Sequence, residues 1–189
     1  MATTKLITAE DLWLMDDDEQ RYELVRGELL PMSPSSSRHG KIGVRIATIL
    51  DVYASRHKLG YVFGVEAGFI LGRDPDTLLV PDAAFVRAAR VPPESEQQGF
   101  LELVPDLVVE VLSPSDRPGR VATKVVTYID AGVSIVWLVD PEEMSVTVYS
   151  AGHPPRTLIG DDAIDGGDVL PEFTIPVAAF FERWLRTET

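Results

Sequence analysis

The stretch that decides the fold runs from residue 105 to residue 140, PDLVVEVLSPSDRPGRVATKVVTYIDAGVSIVWLVD. It opens with Asp106–Leu112, a near-continuous β-branched run of the kind that forms a strand buried on both faces. Ser113-Pro114-Ser115-Asp116 ends that run. A helix is predicted from about Pro118 to Ala131, with proline at its start and Gly132 as its C-terminal stop. Ser134–Val139 is a second buried strand, and Asp140-Pro141-Glu142-Glu143 turns the chain. Strand, helix and strand in this order predict two parallel neighbours joined by a right-handed crossover.

Toward the N-terminus, Thr8 followed by Glu10 and Asp11 marks a helix start, with the helix expected to reach about Asp16. Tyr22–Val25 and Glu28–Pro31 flank Arg26-Gly27, which reads as a β-hairpin. Residues 33–37 form a serine-rich loop that ends in an N-cap. From Arg38 to Leu59, apolar residues recur at Ile42, Ile46, Ile49, Leu50 and Tyr53, one face of a helix that Gly60 stops. Tyr61–Phe63, Ala67–Leu71 and Leu78–Val86 read as strands, with a turn over 72–76 and a polar loop over 90–99. Beyond the central unit, Val146–Tyr149 is a hairpin partner and 151–168 a Gly- and Asp-rich loop with room for one short strand. Pro176–Leu185 reads as a terminal helix whose Phe180, Phe181 and Trp184 pack against its own sheet. The class is therefore α/β, a mixed sheet flanked by helices, in a single domain over 1–189.

Composition narrows the function. The 189 residues include no cysteine, which excludes disulfides, thiolate metal sites and a cysteine nucleophile. No apolar run approaches the ~20 residues of a membrane-spanning helix. The N-terminus lacks the basic and apolar regions of a signal peptide, so a cytoplasmic protein is expected. Seventeen Lys and Arg against thirty Asp and Glu give a net charge of −13, which disfavours generic nucleic-acid binding. The charge is uneven: residues 21–60 carry seven bases and three acids. Arg38, Lys41, Arg45, Arg56 and Lys58 lie in this block, and Arg117, Arg120 and Lys124 form a second cluster. Either these are solvated helix faces, or they form a basic strip that follows a phosphate backbone.

Several catalytic signatures are absent: GxSxG, GxxxxGK[ST], GxGxxG and HExxH. What remains is carboxylates inside apolar strands. Glu110 stands in DLVVEVLS and Asp82 in LLVPDAAFV, and a charge there is costly to bury unless paired or metal-bound. Asp106 shares a strand face with Glu110, roughly 13 Å away at the strand rise, too far to share a metal ion. Asp82 lies beside Glu110 if their strands pair. Lys124, on the following helix, can then reach back over the strand ends. A structural role is the alternative for each: an Asp after Pro suits a turn, and Lys is commonplace on a helix.

The pieces PDAAFV, PDLVVEVLSPSD, Lys124, Tyr128, AGV and VWLVDP, with the upstream YELVRGEL and SPSSSRHGKI, resemble the Uma-two family of restriction endonuclease-like proteins. That family is similar to the PD-(D/E)XK nucleases, whose core is α-β-β-β-α-β. The resemblance implies that core here, with an added N-terminal helix and hairpin and C-terminal strands and helix. It implies a metal-dependent endonuclease that hydrolyses DNA phosphodiesters. Asp82 then matches the acid of the PD motif and Glu110 the acid of the next core strand. With the main-chain carbonyl of Val111 they would bind Mg²⁺ or Mn²⁺. Lys124 matches a lysine on the next helix; the superfamily's lysine position is 112, where this chain has Leu112. Glu23, His39 and Asp106 are accessory candidates. Arg38, Lys41, Arg45, Arg117 and Arg120 are candidates for contacting DNA. A homodimer is expected, since double-strand cutting benefits from two sites. The alternatives are a nuclease acting on RNA and an inactive nuclease fold that binds or assembles.

Overall fold

The computed structural model describes residues 6–15, 21–32 and 34–181. Its centre is a six-stranded sheet in the order β10-β9-β8-β7-β6-β3. The strands are β3 (Gly60–Phe63), β6 (Ala83–Arg87), β7 (Leu107–Val111), β8 (Ile135–Asp140), β9 (Ser145–Ser150) and β10 (His153–Ile159). β7 and β8 run parallel with Val109 beside Trp137, and every other pair in the sheet is antiparallel. The helix between them, α3 (Pro118–Ala131), starts on its proline and ends on Gly132 at φ 101°, as predicted.

Strand alternation sorts the central side chains onto two faces. Ala83, Phe85, Leu107, Val109, Val111, Ile135, Trp137 and Val139 face α2 (Ser37–His57). Ile42, Ile46 and Leu50 of that helix meet them. Val108 and Val136 face α3 and pack on Val125 and Tyr128. Glu110 shares the parity of Val108, so it lies on the α3 side. α2 is capped by Ser36, whose Oγ accepts from the His39 backbone N–H at 3.2 Å. The left-handed residue that closes α2 is Lys58, at φ 56°, not the predicted Gly60. Gly60 has another reason to be glycine: a Cβ there would overlap the Val86 carbonyl on the paired strand.

A second sheet has the order β2-β1-β5-β4, from β1 (Tyr22–Val25), β2 (Glu28–Pro31), β4 (Phe69–Gly72) and β5 (Thr77–Leu79). The hairpin of β1 and β2 forms as predicted. The expected strand over 78–86 is broken in two. Leu79 ends β5 in the second sheet and Ala83 begins β6 in the first, with Val80-Pro81-Asp82 as the step between them. Pro81 has no N–H to continue a ladder, and the chain changes sheets there.

The C-terminal part departs further from expectation. The segment 151–168, expected as loop with one short strand, contains all of β10 and all of β11 (Ala163–Gly166), and β11 pairs with β12 (Leu170–Pro176). Pro154 and Pro155 obscure β10, but it is an edge strand with a register shift between His153 and Arg156, where prolines are tolerated. Instead of a helix from 176, Val177–Phe180 is a single 3₁₀ turn. Val177 and Phe180 are both fully buried, and a spacing of three suits that tighter turn as well as an α-helix. Phe180 packs into the α2-side core with Trp137. Trp184 lies outside the described residues. The first helix, α1 (Ala9–Trp13), has the Thr8–Asp11 capping box.

Asp106 precedes β7 at the end remote from Glu110. It is buried, and its carboxylate accepts from the Arg87 backbone N–H at 2.9 Å and from the guanidinium groups of Arg87 at 3.1 Å and Arg90 at 2.8 Å. It is a clamp between β6 and β7. Asp106→Ala removes three donors' partner at once and is expected to cost about 2 kcal/mol. Urea denaturation measures this; a midpoint unchanged from wild type contradicts the clamp.

Candidate active site

β6 and β7 pair with Ala83 opposite Val109. Carried one residue further, that register sets Asp82 opposite Glu110, at the end of the strands where the chain has just stepped between sheets. Asp82 is fixed there by two backbone bonds: its N–H donates to the Val109 carbonyl at 3.1 Å, and its Oδ2 accepts from the Val111 N–H at 2.7 Å. The same Oδ2 lies 3.1 Å from His39 Nε2, in the first turn of α2.

Glu110 points the other way, toward α3. Lys124 and Tyr128 are four residues apart and so share a helix face. The Lys124 ammonium lies 2.9 Å from Glu110, and the Tyr128 hydroxyl donates to Glu110 Oε1 at 2.7 Å. β1 completes the cluster. Glu23 Oε1 lies 3.0 Å from Lys124 Nζ and also accepts from the Val80 N–H at 2.9 Å, in the step that leads to Asp82. Lys124 therefore bridges two carboxylates that come from different sheets.

These groups are largely removed from water. Side-chain exposure is 8% for His39, 14% for Asp82, 13% for Glu110 and 21% for Lys124. Burial drives the Glu110 carboxyl up to about 7; Lys124 pulls it down, while Asp82 and Glu23 add to the rise. Burial disfavours the charged Lys124, but Glu110 and Glu23 outweigh it and raise its pKa. Burial also raises Tyr128 well above its ordinary value, with Glu110 next, so the phenol stays protonated and donates. Burial works against a charged His39, yet Asp82 outweighs it and lifts the ring above its ordinary value. His39 Nδ1 is buried without a protein partner.

The cluster lines a cavity of about 560 Å³. Leu30, Pro31 and Met32 form one wall, Ser113 lines it from the loop after β7, and Arg117 and Arg120 from the start of α3. Val111 and Leu112 line it too. Leu112, where the resemblance set a lysine position, is thus apolar, and the Lys124 ammonium reaches the cavity from α3. Among the described residues, no three His, Asp or Glu side chains form a ready-made cation cage. The donor set still suits Mg²⁺ or Mn²⁺, which take hard oxygen ligands and are commonly held by one or two carboxylates, with water and phosphate filling the rest.

Of the candidates read from the sequence, Glu23, His39, Asp82, Glu110, Val111, Lys124, Arg117 and Arg120 all line this cavity. Asp106 does not. Arg38 bonds to the Pro141 carbonyl and pairs with Glu142 at 3.0 Å. With Lys41 and Arg45 it lines a separate small pocket of about 60 Å³ beside Met144 and Phe180. The α2 basic residues thus lie apart from the carboxylates. The bond from Tyr128 to Glu110 is the contact sequence reasoning did not assign; its signal is the spacing of four from Lys124.

The shifts have a consequence for stability. Both Glu110 and His39 are raised in the fold, so the folded state holds protons more tightly than the unfolded one. The stability they confer is full at low pH and is lost as pH rises, for Glu110 from 4.5 to about 7 and for His39 above 6.5. In chelator-containing buffer, Tm is therefore expected to fall as pH rises from 4.5 to about 7, and less steeply in Glu110→Gln. A flat or rising profile contradicts this.

A family model described as "Putative restriction endonuclease", Uma2, matches residues 9–178. A crystal structure of a "putative nuclease belonging to DUF820" from Anabaena variabilis superposes with a TM-score of 0.81. Sequence identity to it is 20%, with 93% of this chain and 97% of that chain covered. At that identity the likeness speaks for the fold. No curated protein matches the chain. Among the described residues, no helix is long and apolar enough to cross a membrane. The family match takes in both of these sheets, the step at Asp82 and all of α3, and by it the chain belongs to the Uma2 family.

Proposed function

We propose that the protein is a divalent-cation-dependent nuclease that hydrolyses phosphodiester bonds of DNA. The observation that carries this reading is the convergence of Asp82, Glu110 and Lys124 at one strand end, on the floor of a cavity of about 560 Å³. Asp82, Glu110 and the Val111 carbonyl would hold Mg²⁺ or Mn²⁺. When bound, such an ion supplies charge neutralisation at the phosphate and a lowered pKa for the attacking water.

The chain's own groups do the remainder. Asp82 is held rigid by the Val109 and Val111 backbone, which fixes its free oxygen relative to Glu110. Tyr128 holds Glu110 in one rotamer from the α3 side. Lys124 carries three donors on its ammonium, which lies within 3.0 Å of Glu23 Oε1 and of both Glu110 oxygens. A phosphate oxygen or the attacking water would draw one of these donors away from Glu110. His39 steadies Asp82 from α2. Arg117 and Arg120 stand on the wall where a phosphate enters.

One observation favours a second reading, a binding or assembly role without catalysis. Lys124 already pairs with both Glu23 and Glu110 and so takes up part of the charge that a metal would meet.

Asp82→Ala and Glu110→Ala are each expected to lower Mn²⁺-dependent cleavage of a DNA panel by about 10²-fold or more. Circular dichroism should show the fold retained. Full activity in either variant overturns the metal assignment, and no cleavage by wild-type protein with any divalent cation favours the second reading.

A further inference from the structure

We infer that the cleft accepts a single polynucleotide strand and excludes an intact duplex, an inference that rests on the nuclease reading above. The first reason is size. A cavity of about 560 Å³ is in the range that encloses a small organic molecule, the class to which one nucleotide unit belongs. The second is depth. Asp82 and Glu110 are only 14% and 13% exposed, so a phosphate must enter the cavity to reach them. A phosphate on a flexible strand can be drawn in, whereas one on a duplex is held to a wide, stiff cylinder.

The third reason is the walls. Leu30 and Met32 stand on the hairpin side, and Arg120 of α3 reaches across to the Pro31 carbonyl at 3.4 Å, tying the two walls together. Leu112 and Val121 add further apolar surface. Apolar walls have nothing to pack against in a duplex, whose base faces are stacked on one another. An unstacked base of a single strand presents such a face. The fourth is charge. Tracking a duplex needs a basic surface alongside the reactive groups. Here Arg38 is committed to Pro141 and Glu142, and Lys41 lies with it at a separate pocket. The net charge of −13 repels a long phosphate array. Arg117 and Arg120 supply positive charge only at the cleft itself.

DNA and RNA single strands share this chemistry, and the test separates them. Fluorescence anisotropy of the full chain in Ca²⁺ buffer would compare a labelled single-stranded DNA, the same sequence as RNA, and a dumbbell duplex closed at both ends. Cleavage of the same three probes would follow with Mn²⁺. The expected result is single-strand binding about tenfold or more tighter than to the dumbbell, with only single strands cut. Equal binding and cutting of the dumbbell overturns the inference and leaves the nuclease reading standing. A single-strand preference without cleavage upholds the strand inference and overturns the nuclease reading. Binding to none of the probes overturns the inference.

Discussion

The lysine of α3 holds the structure's chemistry together. Its ammonium lies between Glu23, from the second sheet, and Glu110, from the first. β1 is thereby joined, at one buried point, to the consecutive elements β7 and α3 far along the chain. Such clusters are poor devices for stability, because the desolvation of each charge offsets most of the Coulombic gain. Apolar residues of similar size would serve the fold as well. Their concentration at the floor of an open cavity therefore points to chemistry at that spot.

Proline and aspartate in succession do two jobs. Pro81 ends one ladder and lets the chain leave the second sheet. Asp82, freed from the middle of a strand, turns its carboxylate onto the backbone of β7 and meets His39. The same step offers the Val80 N–H to Glu23. A change of sheet thus becomes the scaffold that sets the distances among three carboxylates. Across the sheet, Trp137, Phe85 and Phe180 are fully buried and keep α2, and with it His39, against β6 and β7.

Much of this was readable from the chain. The β-branched run at 107–111 and the Pro–Gly boundaries of α3 are local signals, and both elements lie where expected. Glu110 was legible as a carboxylate inside a buried strand, and Lys124 on the next helix as able to reach back to it over the strand ends. Long-range pairings were less legible. Nothing local shows that Asp106 is claimed by Arg87 and Arg90, or that Arg38 is claimed by Pro141 and Glu142. Leu78–Val86 reads as one strand because apolar residues continue through the change of sheet. β10 to β12 hide behind proline, glycine and aspartate, residues that edge strands and short hairpins accommodate.

In the proposed function these carboxylates take up a cation beyond Lys124. Isothermal titration of Mn²⁺ into metal-free protein, wild type beside Glu110→Ala, reads that uptake. Saturable binding to wild type that is lost in the variant is the expected result. Binding of equal strength in Glu110→Ala, or none to wild type at millimolar metal with single-stranded DNA present, would contradict it.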